Sequence, residues 1–238
     1  MLLCDIGNSY LHFFYKGRMW REEANHMTKK NKKCTIYYIS VNPDDEKKLV
    51  NAHGNCLNIE KYINIDTIYS GVGIDRKAAC ISIQNGVVVD SGSAITIDVM
   101  QNGIHLGGYI LPGINSYKKF FFDISPVLKI DFNLGVSLNN LPQNTRDATS
   151  YGCLKSIILT IEEIAKDNYI YFTGGDGKFL SKFFAKSIYD NTSVFKGMMK
   201  AIKDNVIIKQ MAWNRDYLDS NLSGVYFEDI YLFINFMC

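Results

Sequence analysis

The chain has 238 residues, 47% hydrophobic and 21% charged, the make-up of a folded globular protein with enough apolar side chains for one large domain or two smaller ones. Its 26 basic and 24 acidic residues nearly cancel, which argues against a nucleic-acid binder. No apolar run reaches the roughly 18 residues of a membrane span, and the start Met1-Leu2-Leu3-Cys4-Asp5 lacks the basic opening of a signal peptide, so cytoplasmic residence is expected.

Leu2 to Ser9 reads L-L-C-D-I-G-N-S, an apolar strand that meets Asp5 and then a small, polar, Gly-containing loop. Leu11 to Lys16 and Met19 to Arg21 follow as a hairpin turning at Lys16-Gly17. The basic run Lys29 to Lys33, without interleaved aromatics, reads as a solvated loop. Cys34 to Val41 is a further strand. Asn42-Pro43-Asp44-Asp45-Glu46 then supplies a cap, a first-turn proline and acids at the positive end of a helix dipole, which predicts a helix to about Ala52. Ile59 to Ile68 is open between strand and helix. Gly71 to Arg76 leads into a helix over Lys77 to Ile83 that stops at Asn85-Gly86. By residue pattern alone, Asp75 is a capping or first-turn acid and Arg76 a surface residue.

The chain is organised around Val87 to Asp98, V-V-V-D-S-G-S-A-I-T-I-D. Its pattern is two strands joined by a tight loop. That loop exposes Gly92, Ser93 and their backbone N–H groups beside Asp90, a setting a phosphate can approach. A carboxylate reaches such a phosphate only through a metal ion or an ordered water. The plan repeats the N-terminal one: Asp5 and Asp90 are followed at nearly equal distances by Lys16-Gly17 and Asn102-Gly103.

Gly107 to Gly113 is a strand entering a turn, and Ile114 to Phe122 is helical. Gln143 to Ala148 precedes a long amphipathic helix, about Thr149 to Lys166, with Thr145 either capping it or meeting ligand. The strand Tyr169 to Phe172 runs into Thr173-Gly174-Gly175-Asp176-Gly177, a third loop at a strand's carboxyl end, where α/β sheets bind ligands. Gly177 to Lys186 and Val194 to Asp204 read as helices. The aromatic-rich remainder from about Val206 reads as a packing or partner surface. Six scattered cysteines without a C-x-x-C pair predict buried free thiols, and four histidines without ligand spacing predict core or surface roles. No P-loop is present.

The segments Asp5-Ile6-Gly7-Asn8-Ser9, Gly73-Ile74-Asp75-Arg76, Asp90 to Asp98, Gly107 to Gly113, Asn144 to Ala148 and Thr173 to Gly177, in this order, resemble a type III pantothenate kinase of the sugar kinase, actin and heat-shock ATPase superfamily. The resemblance implies an α/β fold of two similar ribonuclease H-like lobes, each a mixed sheet flanked by helices, placed here at residues 1–85 and 86–238. It implies ATP-dependent phosphorylation of the primary hydroxyl of pantothenate, the first step toward coenzyme A. It also implies a homodimer, Mg2+ with ATP, and a monovalent cation, K+ or NH4+.

Carried over residue by residue, Asp5, Ile6, Gly7, Asn8, Ser9, Tyr10, Leu11 and His12 would hold the ATP phosphates, Asp5 through magnesium and water. Gly73, Ile74, Asp75 and Arg76 would line the pantothenate site, with Asp75 as the base and Thr145 a further substrate contact. Asp90 resembles the monovalent-cation ligand and Ser93 an ATP contact, and Gly174, Gly175 and Gly177 would lie against the adenosine. Ser9 and Ser93 replace threonines common in such kinases and keep the hydroxyl. The lead-in to Gly73 lacks the usual proline, with Tyr69 a candidate substitute. Two other readings share this fold: a non-catalytic regulatory relative, and a kinase for another small alcohol or sugar.

Overall fold

A computed structural model describes residues 1–27 and 34–205. The basic run Lys29 to Lys33, the aromatic-rich segment from Val206 and the last cysteine lie outside the described residues. The chain divides into two compact units, one of Met1–Ile63 with the described chain from Met198, the other Asn64–Gly197.

The first unit is built on a five-stranded mixed sheet in the order β3-β2-β1-β4-β5. Its strands are β1 (Leu2–Ile6), β2 (Leu11–Tyr15), β3 (Arg18–Glu22), β4 (Ile36–Ser40) and β5 (Cys56–Asn58). Helix α1 (Pro43–His53) joins β4 to β5, and the Asn42 side chain caps it by accepting from the Asp45 N–H. Alternation along β1, β2 and β4 sends Cys4, Ile6, Leu11, Phe13, Ile36 and Tyr38 inward against Leu49 of α1. The hairpin between β2 and β3 turns on Lys16 and Gly17, both at positive φ (48° and 76°), which matches the right-handed twist of its strands.

The second unit repeats that plan with one strand added, in the order β11-β10-β7-β8-β9-β6. The strands are β6 (Asp66–Thr67), β7 (Gly86–Ser91), β8 (Ala94–Gln101), β9 (Ile104–Pro112), β10 (Ile170–Thr173) and β11 (Ser187–Tyr189). In both sheets three antiparallel strands continue into two parallel ones, so β1 corresponds to β7 and Asp5 to Asp90. Its helices are α2 (Ile74–Ile81), α3 (Ile114–Ile124), α4 (Thr145–Ala165) and α5 (Gly177–Leu180), and residues 193–205 form a further helix, α6. One sheet face, with Val87, Val89, Ile95 and Ile97, packs on Leu154, Ile157, Ile158 and Ile161 of α4.

The ambiguous stretch before α2 holds a single 3-10 turn, Glu60–Tyr62, and the two-residue β6. Two helices begin earlier than periodicity suggests, because their first turns carry polar residues. Residue 74 opens α2, and Asn144 caps α4 through the Asp147 N–H, which leaves Thr145 as its first helical residue. The chain from Gly177 is helical only to Leu180 before a 3-10 turn at Ser181–Phe183. Cys4, Cys80 and Cys153 are buried thiols, whereas Cys34 is exposed because it lies ahead of β4 and outside the sheet.

Candidate active site

The second unit gathers its chemistry on the sheet face opposite α4. Alternation along β8 turns Ile95 and Ile97 toward α4, so Asp98, in the opposite phase, points to the side covered by α2. A carboxylate that is 1% exposed needs a cationic partner, and Arg76 supplies one. Its Nε donates to Asp98 Oδ2 at 2.9 Å and its Nη2 to Oδ1 at 2.7 Å, a bidentate fork. Arg76 is 6% exposed, which corrects the surface role that residue pattern alone suggests. Although burial works against its charge, the bond to Asp98 holds the guanidinium pKa above its ordinary value.

Three further groups close around this pair. His105 Nε2 lies 2.8 Å from Asp98 Oδ1, and His105 Nδ1 lies 2.8 Å from the Thr67 hydroxyl. The Tyr69 ring sits 5.2 Å from the Arg76 guanidinium carbon, and the Tyr69 N–H donates to Thr67 Oγ1. Gly108, paired with Asp98 across the sheet, has no alternative residue: a Cβ there would lie 2.4 Å from Asp98 Oδ1 and 2.3 Å from the Ile97 carbonyl oxygen. Cys80 is also close, its thiol pushed up by burial and by the Asp98 charge.

Asp75 stands one residue before Arg76, in the first turn of α2, and its Oδ1 accepts the Arg76 backbone N–H at 2.8 Å. The cap position is Gly73, and a Cβ there would fall 2.6 Å from the Asp75 carboxylate. Asp75 is thus the first-turn acid, half-buried, and Ile74 beside it is buried. Asp90, next to last in β7, lies close by. Burial, then the charges of Asp75 and Asp98, push its carboxyl up to about 7.

Around Asp90 the loops interlock. The β7–β8 turn exposes Gly92 and Ser93, and Gly113 and Ser116 at the start of α3 both donate to the Ser93 carbonyl, at 3.1 and 2.7 Å. The glycine cluster after β10 docks on the same strand end. Asp176 N–H donates to the Ser91 carbonyl, and Ser91 Oγ to that of Thr173, at 3.0 and 3.1 Å. A Cβ at Gly174 would collide with Asp90 Oδ1 at 2.4 Å, while Gly175 faces open space and Gly177 is buried against Tyr189.

The structure therefore brings Gly73, Ile74, Asp75, Arg76, Asp90, Ser93, Gly174, Gly175 and Gly177 into one unit, around the carboxyl ends of β7 and β10. Thr145 stands exposed at the start of α4. The loop Asp5 to His12 belongs to the other unit. There Asn8 and Ser9 are exposed, Gly7 N–H donates to the Tyr10 carbonyl at 3.1 Å, and burial and Arg21 lower the His12 pKa. Asp98, His105 and Thr67 carry no assignment from the sequence. The signal for Asp98 was present, an acid within an apolar strand.

Sequence comparison places this geometry in a family. The family model for type III pantothenate kinase matches residues 40–167. A type III pantothenate kinase of Helicobacter hepaticus is 54% identical over 206 residues, covering 87% of this chain and 100% of that one. A type III pantothenate kinase of Helicobacter pylori strain J99 is 43% identical over 209 residues, 88% and 94% of the two chains. Among solved structures, a Campylobacter jejuni protein named for the Baf family of transcriptional activators superposes with a TM-score of 0.77 at 50% identity, over 86% of this chain and 98% of that one. Two mixed sheets flanked by helices, a repeated strand order and these sequence matches agree: the chain belongs to the type III pantothenate kinase family.

Proposed function

We propose that this chain transfers the γ-phosphoryl group of ATP to the primary hydroxyl of pantothenate, in the cytoplasm, as the first step of coenzyme A biosynthesis. The observation that carries the reading is the Asp75–Arg76 pair at the start of α2, beside Asp90, inside the segment that matches the family. Asp75 takes the proton of the substrate hydroxyl as its oxygen forms a bond to the γ-phosphorus and the bond to the departing ADP breaks. Phosphoryl transfer is mostly positioning and charge neutralisation, so one oriented carboxylate beside the nucleophile has a large effect. Gly73 to Arg76 and Thr145 contact pantothenate.

The glycine loops suit a nucleotide, since Gly92 and Gly175 leave their backbones open to an approaching group. Ser93 and the loop Asp5 to His12 contact phosphate, with Asp5 acting through Mg2+ and water, and Gly174, Gly175 and Gly177 contact adenosine. A divalent ion would neutralise the phosphate charge. Asp90 fits a monovalent cation, K+ or NH4+: its carboxylate is desolvated and crowded by two other acids, and a bound cation offsets that repulsion.

A homodimer belongs to the same reading. Its support is apolar surface at Leu159 and Ile164 of α4, exposed in a groove of about 380 Å³ that Tyr109, Thr160 and Glu163 also line.

The test is phosphorylation of pantothenate by the purified protein, with and without K+, beside Asp75→Asn. K+-dependent turnover that falls about 10²–10⁴-fold in the variant supports substrate and base together. A folded wild-type protein that binds ATP and leaves pantothenate untouched with every cation refutes the substrate assignment.

A further inference from the structure

We infer that Asp98 and His105 are positioning residues for Asp75, acting through Arg76; the inference rests on the kinase reading above. The chain of contacts is continuous and buried. Thr67 Oγ1 meets His105 Nδ1, His105 Nε2 meets Asp98, and Asp98 grips the Arg76 guanidinium with both oxygens. The Arg76 main-chain N–H in turn meets Asp75 Oδ1. His105 is 1% exposed, so neither ring nitrogen has water as an alternative partner.

With a neutral imidazole the hydrogen bonds close one way. A carboxylate oxygen only accepts, so His105 Nε2 carries the hydrogen and donates to Asp98 Oδ1. The Thr67 hydroxyl then donates to Nδ1 while its oxygen accepts the Tyr69 N–H. This fixes the imidazole, and the imidazole fixes the carboxylate plane that the Arg76 fork must match. Asp98 takes the Nε and Nη2 edge of Arg76 and Tyr69 lies over its guanidinium, so Arg76 meets the substrate from a fixed position. It is a strut between the sheet and the first turn of α2.

Cys80, Asp98 and His105 place ligand-type atoms within 4.8 Å of one another. Both Asp98 oxygens already accept hydrogen bonds and a guanidinium stands beside them, which makes the cluster a network of hydrogen bonds in place of a metal site.

The experiment is steady-state kinetics of the full chain with ATP and pantothenate for wild type, His105→Ala, His105→Gln and Thr67→Val, with melting temperatures of each. Displacing the strut lowers kcat with pantothenate about tenfold to hundredfold in His105→Ala, while KM for ATP stays within about twofold. Gln, which keeps a donor near the Nε2 position, recovers most of kcat, and Thr67→Val loses a few fold. If His105→Ala does not fold, His105→Gln and Thr67→Val decide, through the same loss of kcat without a change in KM for ATP. Variants that melt lower yet keep the wild-type constants overturn the inference and leave the kinase reading standing. A wild-type protein inert toward pantothenate removes both.

Discussion

At the scale of single residues, Asp90 gives the plainest consequence of burying a carboxylate among carboxylates. Its pKa is pushed from 3.8 to about 7 in the folded chain. Between those values the folded state holds a proton that the unfolded state has released, so stability falls as pH rises through that window. Above about 7 the buried charge opposes folding in full. Asp90→Asn removes the charge: its melting temperature should equal that of wild type near pH 4 and exceed it at pH 8 in buffer free of K+ and NH4+. Adding K+ at pH 8 should raise wild type and leave the variant unmoved. A difference that stays constant across this range would contradict the assignment. Much of this residue chemistry was legible in the sequence, because Asp-x-Gly loops at strand ends follow a local rule. The Arg76–Asp98 pair was not. Its partners are 22 positions apart, and only the phase of β8 and the missing side chain of Gly108 bring them together.

At the scale of elements, α2 is held from two sides. Its Ala78 backbone packs so closely on α6 that a Cβ at Gly197 would lie 1.7 Å from the Ala78 carbonyl oxygen. Alanine in place of glycine within a helix ordinarily stabilises by about 1 kcal/mol. Here the sign reverses. Gly197→Ala should cost about 3 kcal/mol by forcing the helices apart, which lowers Tm by about 6 °C or more for a chain of this size. An unchanged or higher Tm would refute the close contact. The longer strands, the hairpins at Lys16-Gly17 and Asn102-Gly103 and the Asn42 cap were readable, since each depends on neighbouring residues, whereas the short strands β5 and β11 carried no pattern. The starts of α2 and α4 were not readable either, because their first turns carry polar residues that break the apolar period. Nothing local marks Gly197 as an interface glycine.

At the scale of the molecule, the repeat of one strand order in two sheets was visible as two spaced Asp-x-Gly loops, although β6, the added strand, was not, being too short for a pattern. If the apolar surface of α4 joins two copies, light scattering on the purified chain should give twice its 27.1 kDa, and Leu159→Lys together with Ile164→Lys should return it to one. A wild type of single-chain mass would refute the homodimer. The contact between Ala78 and Gly197 also sets a timetable for synthesis. A ribosome that has reached residue 190 has already translated every residue assigned a role in the reaction, Asp75 among them, yet has not made the helix against which α2 rests. The proposed catalytic base is encoded early and seated late, so fragments released before the α6 codons carry the proposed site in sequence without the surface that holds its base in place.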